Sequence, residues 1–174
     1  MLSENKKTNE LQNLYQKLKS LKKILNNNEN KYKRAYGVLR GKKMPLKLLE
    51  ATVSSFDGVF EKFRSEAAEN KANLILFLAD KDPVTSLSWC PDCVRAEPMI
   101  YKKLEASYDD IALLKAYVGD RPTWRNPKHP WKVEPRFKLT GVPTLIRWEN
   151  DTVKGRLEDH EAHLENKIET LVEK

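Results

Sequence analysis

The chain has 174 residues, 40% of them hydrophobic, which is enough for one domain with a real core and an appendage. No apolar run approaches the ~20 residues that a membrane helix needs. The opening "MLSENKKTNE" has no apolar stretch behind its charges, so no secretory signal is expected and a reducing compartment is the default. The net charge of +7 is unevenly placed: residues 1–43 hold 12 Lys/Arg and 3 Asp/Glu, a net of +9, and residues 44–174 hold 20 and 22, a net of −2. The larger part of the chain therefore gives no whole-domain signal for nucleic acid.

In chain order, Leu11, Leu14, Leu18, Leu21 and Leu25 form two heptads of a helix ringed by lysines. That is short for a coiled coil, so a mobile basic helix is the expectation. "NNNEN" interrupts it, and "GKKMP" at 41–45 marks a boundary. "KLLEATV" predicts a first strand. "SSFDGVFEKFRSEA" predicts a helix with Phe56, Val59, Phe60 and Phe63 on one face and Ser54 or Ser55 as N-cap. "NLILFLA" at 73–79 and "IALLKAYV" at 111–118 are continuous apolar runs, the pattern of strands buried on both faces. A helix is predicted from Pro91 to about Ser107, with proline at its first position. After a long loop to about Glu134, "GVPTLIRW" and "TVKGRLE" form a hairpin across "ENDT". A last helix carries Leu164, Ile168 and Leu171 at helical spacing. This order predicts an α/β fold, one mixed sheet covered on both faces by helices. The domain is expected at 44–174, after a basic, helical or mobile extension at 1–43 that is dispensable for chemistry.

Both cysteines lie in "SLSWCPDCVRAEP" at 86–98. Cys90 is expected at a helix N-terminus beyond a central strand, where unpaired N–H groups and the helix dipole favour a thiolate. Cys93 follows one turn in and more buried. This geometry makes Cys90 the attacking thiol and Cys93 the resolving thiol of a dithiol. Zinc is the competing reading, with His160 and His163 as the other ligands. Against it stand the helical setting of the pair and the tight His spacing. A static disulfide closes too short a loop to restrain much of the unfolded chain.

The strand–WCxxC–helix order, Pro98 five residues after the second cysteine and Val142-Pro143-Thr144 resemble the thioredoxin fold. The resemblance implies a cis Val142–Pro143 bond beside the cysteines, pairing its backbone with an extended substrate. More closely, "WCPDC", "FLADKDP", "YVGDRPTWRNPKHPW", "RFKLTGVPTLIRW" and "VKGRLEDHEAHL" resemble the thioredoxin-related family called Clot in plants and insects, and thioredoxin domain-containing protein 17 in animals. The plant members are most alike, over about residues 46–170. "MPLKLLEATVSSF" resembles a family N-terminus. An alternative upstream start, a gene-model artefact and a true addition all stay open for residues 1–43. The resemblance implies a cytosolic disulfide reductase with no bound cofactor, re-reduced from NADPH through thioredoxin reductase. Ordinary thioredoxins carry a buried Asp on the strand before the cysteines, and "NLILFLA" has none. Asp92 is the expected partial substitute, with helix N-terminal charge stabilisation as its other reading.

Trp89, Pro91, Asp92, Val142, Pro143, Asp120 and Trp124 are the expected substrate-binding surroundings of the dithiol. Trp89 is expected to shield the sulfurs, with Asp120 accepting its indole N–H. Trp124 and Trp131, with Arg121, Arg125, Lys128 and Lys132, are expected to form a bulky basic wall, and "DKDPVTSLS" the wall opposite. Two walls and a basic side favour small or exposed disulfides. The competing function is a redox-sensitive binding module using the same fold. A basic adaptor for RNA or a membrane surface is third, kept open by Tyr15, Tyr32 and Tyr36. A monomer with no metal, membrane or nucleic-acid partner is the expectation.

Overall fold

The structure is a computed structural model that describes Lys17, residues 46–107 and residues 110–173. The chain divides into two units, residues 1–42 and 43–174. The heptad leucines and the expected basic helix lie outside the described residues.

The second unit runs β1 (Lys47–Thr52), α1 (Phe56–Ser65), β2 (Ala72–Leu78), α2 (Pro91–Ala106), β3 (Ile111–Tyr117), α3 (Arg121–Arg125), α4 (Pro130–Val133), β4 (Thr144–Glu149), β5 (Thr152–Leu157) and α5 (Glu165–Glu173). The five strands form one sheet in the order β1-β3-β2-β4-β5. β1, β3 and β2 are parallel, and β4 and β5 add antiparallel. The apolar runs became the central strands: every residue of β2 is buried. The β4–β5 turn takes Asn150 and Asp151 at φ 49° and 58°, a left-handed backbone that Asn and Asp tolerate.

Helices cover both faces. Trp148 of β4 meets Phe60 of α1 at 5.2 Å between ring centroids. Arg147, the preceding residue, points the other way and donates to the Leu171 and Val172 carbonyls of α5. α2 joins α5 on that second face through Lys103 and Glu165, 3.3 Å apart. Under α1, Phe56, Phe60, Phe77, Trp131 and Phe137 form an aromatic cluster of mostly edge-on contacts.

Three local expectations need correction. Ser55 is the N-cap of α1, but its hydroxyl makes no capping bond and instead accepts Thr52 N–H at 3.0 Å. β4 starts at Thr144 rather than Gly141, after the cis Val142–Pro143 bond. The last helix starts only at Glu165; Leu164 is exposed, and Ala162 is buried in its place.

Lys115 sits buried in the middle of β3. Its ammonium pairs with Glu50 of β1 and lies 3.6 Å from Glu97 of α2, which also meets Lys81 at 3.2 Å. Burial opposes the charge on Lys115, but the Glu50 carboxylate and the Tyr117 and Tyr101 hydroxyls outweigh it and raise its pKa.

Candidate active site

The sheet's topology places the cysteines. β2 and β3 are parallel neighbours, so their carboxyl ends open on one side. Cys90 is the N-cap of α2, and Pro91 fills the first helical position, where a missing N–H costs nothing. Cys90 Sγ accepts the Cys93 N–H at 3.4 Å. It also lies 3.3 Å from the Val142 carbonyl, to which it donates when protonated. Cys93 Sγ accepts the Ala79 N–H at 3.5 Å at the end of β2. Both are free thiols, Cys90 7% and Cys93 1% exposed.

The two sulfurs are electrostatically unlike. A hydrogen bond from Cys93, with the N–H groups of Cys93 and Asp92, outweighs burial and brings the Cys90 pKa down to about 6. The same hydrogen bond and deeper burial push the Cys93 thiol up. The pair therefore holds one thiolate near neutral pH on the sulfur at the helix end, with a protonated thiol behind it. This arrangement suits attack followed by resolution.

Trp89 stands beside the pair, partly buried. Its indole N–H donates to the Gly119 carbonyl at 3.0 Å, not to Asp120. Asp120 instead caps α3, accepting the Thr123 N–H at 2.9 Å, and the Thr123 hydroxyl helps hold its carboxyl below the usual range. The expectation failed because a capping acid reaches the free N–H groups of its own helix first. Gly119 has φ +92°, and a Cβ there would meet Thr123 Cγ2 at 2.8 Å, so glycine is required at this corner.

Asp92 does not take the place of a buried strand acid. It is half-exposed and pairs with Arg95 one turn along α2, and its charge opposes the Cys90 thiolate while its backbone N–H favours it. Val142 and Pro143 are buried next to Cys90. Trp124 packs against His129 at 5.1 Å and beneath the Lys132 ammonium at 4.2 Å. Trp131 is in the core, 3% exposed, so it adds no bulk to a wall. Lys132 is drawn inward, donating to the Trp124 carbonyl at 2.6 Å. Arg121 does border the site: its guanidinium lies 5.4 Å from the Trp89 ring centroid and donates to the Trp89 carbonyl at 2.9 Å.

Among the described residues no group of three or more His, Cys, Asp or Glu is placed to hold a metal ion, and His160 pairs with Asp159 at 3.0 Å. Three residues that shape the site escaped the sequence reading. Asp80 ties the end of β2 to β3 by accepting the Gly119 N–H at 2.8 Å. His129 is 1% exposed and bonds the Val118 carbonyl through Nε2 at 2.9 Å while Nδ1 accepts the Trp131 N–H at 3.3 Å. Ser88 accepts the Cys90 N–H at 3.3 Å. Each acts by meeting a backbone group from elsewhere in the chain or fold, which leaves no periodic trace in the sequence.

Comparison with known proteins gives this arrangement a family. The model described as "Thioredoxin domain-containing protein 17-like, thioredoxin domain" matches residues 52–174. The chain belongs to that family of thioredoxin domains. It is 58% identical over 130 residues to the Thioredoxin-like protein Clot of Arabidopsis thaliana, covering 74% of this chain and 97% of that protein. The rice Thioredoxin-like protein Clot (Oryza sativa subsp. japonica) is 52% identical over 135 residues, again covering 74% and 97%. Thioredoxin domain-containing protein 17 of Mus musculus is 36% identical over 91 residues, covering 51% of this chain and 72% of that protein. The fold is thioredoxin-like and its role is a thioredoxin-like redox role. No described helix is long and apolar enough to cross a membrane.

Proposed function

We propose that the protein is a cytoplasmic, monomeric disulfide reductase. Cys90 attacks a substrate disulfide, forming a mixed disulfide and releasing one substrate thiolate. Cys93 then attacks Cys90 Sγ, closing the Cys90–Cys93 disulfide and releasing the second substrate thiol. The dithiol gives up two electrons, the substrate gains them, and NADPH restores the dithiol through thioredoxin reductase. The observation that carries this reading is the asymmetry of the two free thiols at one helix N-terminus, one with a pKa of about 6 and one pushed up behind it.

The preferred substrates are small or exposed disulfides such as cystine. Support comes from the two loops beside Cys90. Arg121 and Arg125 are exposed on one side, and Val84 and Leu87 stand out on the other. The test is NADPH consumption with thioredoxin reductase, using cystine and insulin. Wild type should turn over cystine with the higher kcat/KM. Cys90→Ser should abolish turnover and trapping. Cys93→Ser should abolish turnover but accumulate mixed disulfides on Cys90, seen by mass spectrometry. Thiol alkylation of the wild type should rise through a midpoint near pH 6. Adducts on Cys93 in the Cys90→Ser protein would reverse the assignment. Binding of oxidised and reduced partners without turnover would favour the redox-sensitive binding module.

A further inference from the structure

Ser88 lies two residues before Cys90 and is partly buried. Its hydroxyl accepts the Cys90 N–H at 3.3 Å and donates to the Ala79 carbonyl at 3.2 Å. The Ala79 N–H is the group that donates to Cys93 Sγ. One hydroxyl thus joins the backbone of the attacking cysteine to the strand end that touches the resolving one. An isolated antiparallel bridge between Lys81 and Ser88 closes the loop and fixes the serine there.

The resolving step requires a thiolate on Cys93, 1% exposed, where an unpaired charge is costly. β2 brings no carboxylate to this place, and Asp92 faces Arg95. The Ala79 N–H is a fixed donor to Cys93 Sγ, and the Ser88 hydroxyl, bonded to the carbonyl of that same Ala79, carries a proton that rotates to suit its surroundings.

We propose that Ser88 is a positioning residue for the resolving step, turning its O–H from the Ala79 carbonyl to Cys93 Sγ as that thiolate forms. The proposal rests on the disulfide-reductase reading above. The hydrogen bond with Cys90 and burial raise the Cys93 pKa, and the Ser88 hydroxyl works against them. Ser88 keeps its own proton throughout. The Cys93 proton goes to solvent, the Cys93–Cys90 bond forms, and the Cys90–substrate bond breaks with the electron pair on the leaving sulfur, which then takes up a proton.

The full chain reacting with the aromatic disulfide DTNB separates the two steps. The first thionitrobenzoate is released by attack of Cys90, the second by resolution through Cys93. Ser88→Ala should slow the second release about tenfold at neutral pH and raise its pH midpoint by about one unit. The first release should stay within about twofold. Ser88→Thr, which keeps a hydroxyl, should restore the second release. Equal slowing of both steps, or of neither, overturns the proposal. A second readout needs no substrate: the 13Cβ shift of Cys93, titrated in the Cys90→Ser background. Its midpoint should rise by about one unit on adding Ser88→Ala, and an unmoved midpoint overturns the proposal. A wild type that releases only one thionitrobenzoate defeats the reductase reading instead, and the 13Cβ titration still decides Ser88.

Discussion

Two loops flank the dithiol, residues 79–90 and residues 118–134, and they are held by opposite means. The first is fastened to itself at its tip, between Asp82 and Leu87. The Asp82 carboxylate accepts the Val84 and Thr85 N–H groups at 2.9 and 2.8 Å, and the Asp82 N–H closes on the Leu87 carbonyl at 2.8 Å. Those bonds, the one from the Thr85 N–H foremost, also hold the Asp82 carboxyl below its usual pKa. Ser86 turns the corner at φ 58°. The loop leaves aliphatic side chains in solvent, Val84 90% and Leu87 60% exposed. The second loop is fastened to the protein interior. Trp131 inserts between Phe56 and Phe77, at 4.9 and 5.0 Å, and buried His129 bonds the end of β3. The difference separates recognition from stability. The tip of the first loop presents surface without supporting the core, whereas the second contributes to the core and reaches the site through Gly119, which receives the Trp89 indole N–H, and through Arg121.

The largest expected effect sharpens that contrast. Trp131→Ala should cost about 3–5 kcal/mol, the range for removing a large buried aromatic. Val84→Ser and Leu87→Ser should each stay within about 0.5 kcal/mol, as exposed substitutions do. Urea unfolding of the reduced proteins measures all three, and comparable losses at Leu87 and Trp131 would erase the distinction.

Next comes His129. Burial, more than the nearby Lys132 charge, holds its pKa below the ordinary 6.5, although its bond to the Val118 carbonyl works the other way. Both ring nitrogens are engaged, and a second ring proton would face the Trp131 N–H. As pH falls below 6.5 the unfolded chain takes up a proton that folded His129 refuses, so acid lowers stability; the contribution is regained as pH rises through 6.5. His129→Gln should flatten that part of the Tm-against-pH curve. His129→Ala should cost about 1–3 kcal/mol at pH 7.5 by leaving the Val118 carbonyl and Trp131 N–H unpaired. An unchanged pH slope in His129→Gln would show that other groups set the acid limit.

The smallest expected effect belongs to the basic side. Changing Arg121 and Arg125 together to Glu should lower kcat/KM for cystine about three- to tenfold at low salt, with the loss shrinking at 0.5 M salt because exposed charges are screened. Tm should barely move. A loss that persists at high salt would assign Arg121 to holding the Trp89 carbonyl rather than attracting substrate.

Most of the fold was legible in the chain. β2 and β3 read as unbroken apolar runs because a parallel central strand has no wet face, and α1 showed its phenylalanines at helical spacing. The cysteine pair was legible because thiol chemistry at a helix start demands a short, fixed spacing. The surroundings were read less well. Asp120 and Trp124 were expected at the site because the loop after β3 opens at the same end of the sheet as Cys90, yet a cap and a cation–π contact claim them.

The sequence by itself determined the five strands, the three longer helices, the mixed sheet and the Cys90–Cys93 pair, because periodicity and local spacing are written along the chain; the short α3 and α4 lie in what read as a loop. Only the tertiary structure decided that Gly119, not Asp120, receives the Trp89 indole, that Trp131 belongs to the core, and that Glu50 and Glu97 neutralise Lys115 from two other elements. It also brought Ser88 between the Cys90 N–H and the Ala79 carbonyl. These choices depend on which donors and acceptors the fold leaves within about 3 Å of one another, and sequence separation carries no record of that distance.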